Sequence, residues 1–190
     1  MLKDLMVEHG APTLAGIKTG NIFSIQTKKN EIASEIRKLN GILTKKGLRL
    51  IPIKRSSDKT MMYLYRPDRL ERDLSSPEAE EILEEKGYPC GNMNCCIVEL
   101  VRHLMMDEEF PHEIGLFLGY PPSDVKGFMK SSCEGVKCVG CWKAYGNENE
   151  AKSTFEKYDT CRSIYRKEAN KGRPLESLIV DMRLDAKLAI

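Results

Sequence analysis

Short runs of alternating and continuous apolar residues predict a small sheet in the first third of the chain. Residues 21–26 alternate between apolar and polar side chains, which is typical of a half-buried strand. Two further runs, 48–53 and 60–65, are separated by the polar segment 54–59, and this arrangement predicts an antiparallel hairpin. Pro52 interrupts the first of these runs and indicates an edge strand or a bulge.

Helical periodicity dominates the remainder. The clearest apolar stripe runs from Ile97 to Met105 at i, i+3, i+4, i+7 and i+8 spacing. His103 lies away from the centre of that stripe, so we expect it to be exposed. Asn147 opens a long C-terminal helix with a capping-box-like pattern, and Gly172 ends it. The other helical predictions cover residues 1–8, 29–40, 76–87, 111–118 and 123–130, and the tail 175–190 is amphipathic.

These elements predict an α+β fold, in which a small sheet with an antiparallel hairpin is covered by several helices and a long C-terminal helix. A length of 190 residues with 41% hydrophobic side chains predicts a single domain over 1–190. No apolar run approaches the roughly 20 residues that cross a bilayer. The N-terminal residues do not resemble a secretory signal. We therefore expect a cytoplasmic protein without a membrane partner.

Charge is distributed in blocks. Residues 1–70 hold 14 basic and 6 acidic side chains, residues 71–135 hold 5 and 14, and residues 136–190 hold 11 and 8. Such blocks either compensate one another or steer a protein partner. Residues 113–125 have the rhythm of a helix-turn-helix motif, but they lie in the acidic block, which argues against nucleic acid as a partner.

The seven cysteines are clustered, and four of them have metal-ligand spacing. Cys133, Cys138 and Cys141 follow the C-x4-C-x2-C order of plant-type [2Fe–2S] proteins, and nineteen residues separate Cys141 from Cys161. Four thiolates could equally hold zinc. The alternative is a loop with incidental thiols and one core cysteine.

A second thiol pair, Cys95 and Cys96, lies at the predicted start of the amphipathic helix. A helix N-terminus stabilises an anion, so a thiol there can have a lowered pKa and react as a nucleophile. The alternative is that Cys96 belongs to the buried stripe. Near the N-terminus, a glycine-rich loop (residues 9–20) contains Lys18 and Thr19. It could bind an anion through backbone amides with Lys18, or could be purely structural.

The run His112-Glu113-Ile114-Gly115-Leu116-Phe117-Leu118-Gly119-Tyr120-Pro121, together with Ala11-Pro12-Thr13-Leu14-Ala15-Gly16 and the Tyr-Gly step before the last long helix, is distinctive. With these segments the chain resembles a family of uncharacterised proteins from anaerobic bacteria, a domain of unknown function, over nearly its whole length. The resemblance implies one domain and brings no activity, cofactor or catalytic residue.

Three functional hypotheses follow. The first is a thiol-rich protein that binds a metal or an iron–sulfur cluster and has a redox or metal-handling role. The second is a cysteine-dependent enzyme that uses Cys95 or Cys96. The third is a non-catalytic protein-interaction domain. The sequence leaves open which of these holds, and whether the protein is an enzyme at all.

Overall fold

The computed structural model describes residues 1–26, 32–106 and 109–182, which form two compact units. The first unit contains residues 1–68 and the segment from 158 onward, and the second contains residues 69–157. The α+β class predicted from the sequence is confirmed.

The first unit is built on a three-stranded antiparallel sheet with the order β1-β3-β2. The strands are β1 (Gly20–Gln26), β2 (Arg49–Arg55) and β3 (Lys59–Tyr65). The predicted hairpin is confirmed, with β2 at an edge and a register shift after Pro52. A proline fits there because an edge strand can lack one amide donor, and a bulge absorbs the irregularity.

Helices α1 (Leu2–Leu14) and α2 (Ile32–Leu43) pack against β1 and β2 respectively, and a 3-10 turn at Thr44–Lys46 follows α2. They bury their apolar faces on the sheet, so that Leu14, Leu39 and Leu64 are among the fully covered core residues. Three segments from the C-terminal part of the chain also belong to this unit: residues 158–170 of the long helix α8 (Glu148–Asn170), the short helix α9 (Leu175–Leu178) and Ile179.

The loop predicted for residues 9–20 is wrong over its first half, because α1 continues to Leu14 with Pro12 inside it. Gly10 does not break the helix, and it permits close packing of α1 on the central strand. A Cβ atom at Gly10 would lie 2.7 Å from Leu64 Cδ2 of the central strand. Burial of Ala11, Pro12 and Leu14 on the sheet offsets the cost of about 3 kcal/mol for an interior proline.

The second unit is mainly helical. Its helix α4 (Pro77–Glu85) follows Ser76 and ends before Gly87, as the sequence predicted, but Ser76 Oγ donates to the carbonyl oxygen of Asp73 and does not cap the helix. The helix Pro67–Leu74 was not predicted from the sequence. The elements of this unit are residues 69–74 of α3 (Pro67–Leu74), α4, α5 (Met93–Met106), α6 (Ile114–Phe117), α7 (Pro122–Lys130), β4 (Cys138–Val139), β5 (Lys143–Ala144) and residues 148–157 of α8.

Candidate functional site

The short hairpin β4–β5 of the second unit is held by tight packing on α8. Gly140 lies in its turn, where the amide of Gly140 donates to the carbonyl oxygen of Trp142. A Cβ atom at Gly140 would run into the Phe155 ring, so this position requires a glycine. Trp142 packs edge-on against Phe155 with ring centroids 4.5 Å apart, and Ala144 is buried beside it.

The buried carboxylate of Asp124 fixes the hairpin to α7. Its Oδ1 accepts hydrogen bonds from the amides of Tyr145 (2.8 Å) and Gly146 (2.7 Å), and its Oδ2 accepts one from the Trp142 indole N–H (2.7 Å). Asp124 is only 4% exposed. Three N–H donors thus satisfy the hydrogen-bonding capacity of this buried carboxylate.

Between α7 and the hairpin lies a cavity of about 440 Å³, a size typical of small-molecule sites. Its wall is largely aromatic and aliphatic. The rings of Tyr120 and Trp142 are stacked with centroids 4.8 Å apart, and the His112 ring meets the Phe128 ring edge-on at 4.9 Å. Other lining residues are Phe110, Ile114, Gly115, Val125, Val139 and Cys141.

Two polar side chains lie near the Phe128 ring of this cavity. Lys143 Nζ lies 5.7 Å from the centroid of the Phe128 ring and donates to the carbonyl oxygen of Ser132 at 2.7 Å. The exposed His112 meets the same ring edge-on. These groups make the Phe128 end of the cavity more polar than the Trp142 end.

A second, more polar cleft of about 700 Å³ shares Phe110 and His112 with the apolar cavity. His103 and Glu113 line it, together with Glu85 and Glu109. The cleft is therefore acidic, in keeping with the negative charge of this block of sequence.

His103 is buried, with 7% exposure, so the expectation that it is exposed is wrong. Its Nδ1 lies 3.2 Å from Glu113 Oε1, and its Nε2 lies 3.1 Å from Glu99 Oε1. The Tyr88 hydroxyl donates to the same Glu113 oxygen at 2.8 Å. Burial, reinforced by the Glu113 charge, raises the pKa of Tyr88. Tyr88 and Glu113 cover this side of α5. The apolar stripe of the helix alone does not indicate these contacts, so it did not predict that His103 is buried.

The cysteines with metal-ligand spacing are divided between the two units. Cys133, Cys138 and Cys141 belong to the second unit, where Cys138 and Cys141 pack against the small core formed by Ala144, Ala151 and Phe155. Cys161 belongs to the first unit, and burial raises the pKa of its thiol. Within residues 1–26, 32–106 and 109–182, no three His, Cys, Asp or Glu side chains are grouped so that they could hold a metal ion.

Cys95 and Cys96 lie near the start of α5, but they differ in environment. Asn92 Oδ1 caps this helix by accepting from the amides of Asn94 (3.0 Å) and Cys95 (3.1 Å). Cys96 is 3% exposed, and its thiol lies 3.3 Å from the Pro89 carbonyl oxygen, to which it donates. Burial raises the pKa of Cys96 to about 11, and this effect is opposite to the activation that the helix N-terminus predicted.

We expect Cys96 to react with iodoacetamide much more slowly than the exposed Cys95. At neutral pH a thiol with a pKa of about 11 carries roughly a hundredfold less thiolate than one at the ordinary value of 9.0, and burial adds a steric barrier. Mass spectrometry of timed digests between pH 7 and 11 checks this, with the exposed Cys133 as reference. The rate at Cys96 should climb up to about pH 11. Fast labelling of Cys96 at pH 7 would contradict the prediction.

The candidate anion-binding residues Lys18 and Thr19 are buried, with 3% and 2% exposure. The Lys18 ammonium donates to the Gly20 carbonyl oxygen, and the Thr19 carbonyl accepts from the amide of Arg66 at 2.9 Å. These contacts favour the structural interpretation of this segment, in which the polar groups hold the start of β1.

The sequence pattern did not predict the aromatic cavity, although the run that carried the family resemblance contains four of its lining residues: His112, Ile114, Gly115 and Tyr120. The available signal was the density of aromatic residues between positions 110 and 142. Helical periodicity could not reveal this signal, because the rings come from loops, from α7 and from a hairpin of two-residue strands.

The fold and this site together define an α+β protein with an aromatic-lined cavity in its second unit. The chain belongs to the DUF3793 family, described as a protein of unknown function, whose model matches residues 6–179. No curated protein and no solved structure matches the chain. In the part of the chain that the structure describes, no helix is both long and apolar enough to span a bilayer.

Proposed function

We propose that this protein binds a small, largely apolar aromatic molecule in the cavity between α7 and the β4–β5 hairpin. The observation that carries the proposal is the wall of aromatic rings around about 440 Å³ of space, with a few polar groups at one end. Binding sites for small molecules typically combine such a surface with a few placed polar groups.

The walls are pre-organised for this role. Asp124 holds Trp142 and the residues after the hairpin in place through three hydrogen bonds, and the Tyr120 hydroxyl donates to the Cys141 carbonyl oxygen at 3.2 Å. Rings that are already fixed lose little conformational entropy when a ligand binds. A planar ligand could stack on them in offset or edge-on geometry.

Trp142 is the single tryptophan of the chain, so its fluorescence reports on the cavity directly. We expect 4-bromobenzyl alcohol, whose bromine quenches tryptophan on contact, to quench Trp142 saturably with a Kd of about 0.1–1 mM, as for a fragment of this size. Free N-acetyltryptophanamide corrects for collisional quenching.

The substitution Val125→Phe places a larger side chain on the cavity wall and should weaken binding at least tenfold. Val98→Phe, at an exposed position of α5 that does not line the cavity, is the matched control. If Val125→Phe does not fold, alkylation of cysteines in the unaltered protein provides a second measurement. The ligand should protect Cys141 from alkylation and leave Cys133 unprotected. Non-saturable quenching without protection of Cys141 would refute the proposal.

The hypotheses based on cysteine chemistry stay predictions. Metal or iron–sulfur binding through Cys133, Cys138, Cys141 and Cys161 is supported by their spacing alone. The environment of Cys96 does not favour its use as a nucleophile, whereas Cys95 is exposed. A role in protein interaction has its support in the charge blocks of the sequence.

A further inference from the structure

The polar groups at the Phe128 end of the cavity indicate which ligand charge the cavity prefers. Lys143 is half-buried, and its ammonium group has three N–H donors, one of which is directed at the Ser132 carbonyl oxygen. That ammonium lies 5.7 Å from the centre of the Phe128 ring. A ring stacked near Phe128 would therefore bring its substituent close to a cationic donor.

Among the described lining residues, the acidic side chain is Asp124. Both of its oxygens already accept hydrogen bonds, from the amides of Tyr145 and Gly146 and from the indole of Trp142. These three N–H dipoles offset its charge locally, so it is poorly suited to attract a cationic ligand. Lys143, the cationic side chain on the wall, therefore determines which ligand charge the cavity prefers.

We propose that the ligand is an aromatic carboxylate, whose ring lies among Tyr120, Phe128 and Trp142 and whose carboxylate accepts a hydrogen bond from Lys143 Nζ. This inference rests on the proposed function and names the class of molecule that the cavity binds.

The overall charge of the second unit opposes an anion, since residues 69–157 carry 17 acidic and 10 basic side chains. At physiological ionic strength, however, charges separated by more than about 8 Å through solvent are largely screened. A carboxylate in direct contact with Lys143 interacts inside the cavity, where screening is weaker. The contact with Lys143 is therefore expected to outweigh the acidic residues that do not line the cavity.

The test compares three probes of nearly equal size and different charge: 4-bromobenzoate, 4-bromobenzyl alcohol and 4-bromobenzylammonium. Quenching of Trp142 gives their affinities. We expect the carboxylate to bind about tenfold more tightly than the alcohol, and the ammonium to bind more weakly than either. In Lys143→Met the ratio of the carboxylate affinity to the alcohol affinity should fall to about one. Lys130→Met, at an exposed position of α7 that does not line the cavity, should behave as the unaltered protein.

Far-UV circular dichroism shows whether Lys143→Met is folded. A second measurement needs no variant: between 50 and 500 mM NaCl the carboxylate should stay the tightest of the three probes, because its contact with Lys143 is weakly screened. If the alcohol binds but the carboxylate binds no better, or the ammonium binds best, the assignment of an aromatic carboxylate is wrong and the proposed function stands. If none of the three probes binds, the proposed function fails and the assignment fails with it.

Discussion

Replacing Arg66 with Met is expected to lower the free energy of unfolding of the first unit by about 4 kcal/mol, a typical cost of breaking a buried charged interaction. The Arg66 side chain is 2% exposed. Its Nε donates to the Thr13 carbonyl oxygen and its Nη2 to those of Leu14 and Val180, each at 2.8 Å. The guanidinium thus binds the C-terminal carbonyls of α1, where a helix dipole favours a cation.

Met retains the unbranched apolar stem of the side chain and removes every donor, so the carbonyl oxygens of Thr13, Leu14 and Val180 lose a charged partner. Arg66→Lys retains the charge but lacks the planar guanidinium group. We expect it to lower the free energy of unfolding by about half as much as Arg66→Met does. Urea unfolding followed by far-UV circular dichroism measures both losses. Arg37→Met, at an exposed position of α2, serves as the control. A loss below about 1 kcal/mol for Arg66→Met would show that this guanidinium does not anchor α1.

The second large effect is expected at Asp124. Its substitution by Ala should lower the free energy of unfolding of the second unit by about 3–5 kcal/mol. Ala leaves two backbone amides and the Trp142 indole N–H without their acceptor, and each unsatisfied buried donor costs about 1–3 kcal/mol before relaxation. Asp124→Asn preserves the shape and one acceptor oxygen, and should cost less than Ala. Because the indole is a partner, Trp142 emission should shift to longer wavelength in Asp124→Ala before any denaturant is added.

Fluorescence-detected urea unfolding measures this loss in the second unit. Glu81→Ala, whose carboxylate makes an exposed pair with Lys126, is the control and should change stability by less than about 1 kcal/mol. Equal stability of Asp124→Ala and Glu81→Ala would refute the role given to Asp124.

The elements that sequence reasoning located well are those whose own periodicity decides their structure. The hairpin of β2 and β3 and the amphipathic helix α5 each bury one regular face, so a pattern of apolar positions is sufficient to find them. The start of α8 is also as predicted, because Asn147 Oδ1 accepts from the amides of Asn149 and Glu150 within the same turn.

The misses share a different cause: in each one the decisive partner is distant in sequence. Pro12 remains helical because α1 packs on the sheet, and His103 is buried because Glu113 and Tyr88 cover it. The cavity could not be predicted for the same reason, since Trp142 is oriented by Asp124, eighteen positions earlier. Rules based on local sequence patterns do not include such long-range contacts. Tertiary packing therefore overrides the structure that these rules predict.

The discontinuous make-up of the first unit has a consequence for biosynthesis. Its N-terminal portion ends at residue 68, yet the Val180 carbonyl that Arg66 binds is translated only after all of residues 69–157. At typical elongation rates this delay is about 5–20 s. Until the delay ends, the nascent β-sheet lacks Leu175, Leu178 and Ile179 from its core, whereas the second unit has all its residues once position 157 is added. The order of maturation on the ribosome is therefore inverted, with the middle of the polypeptide complete before its beginning.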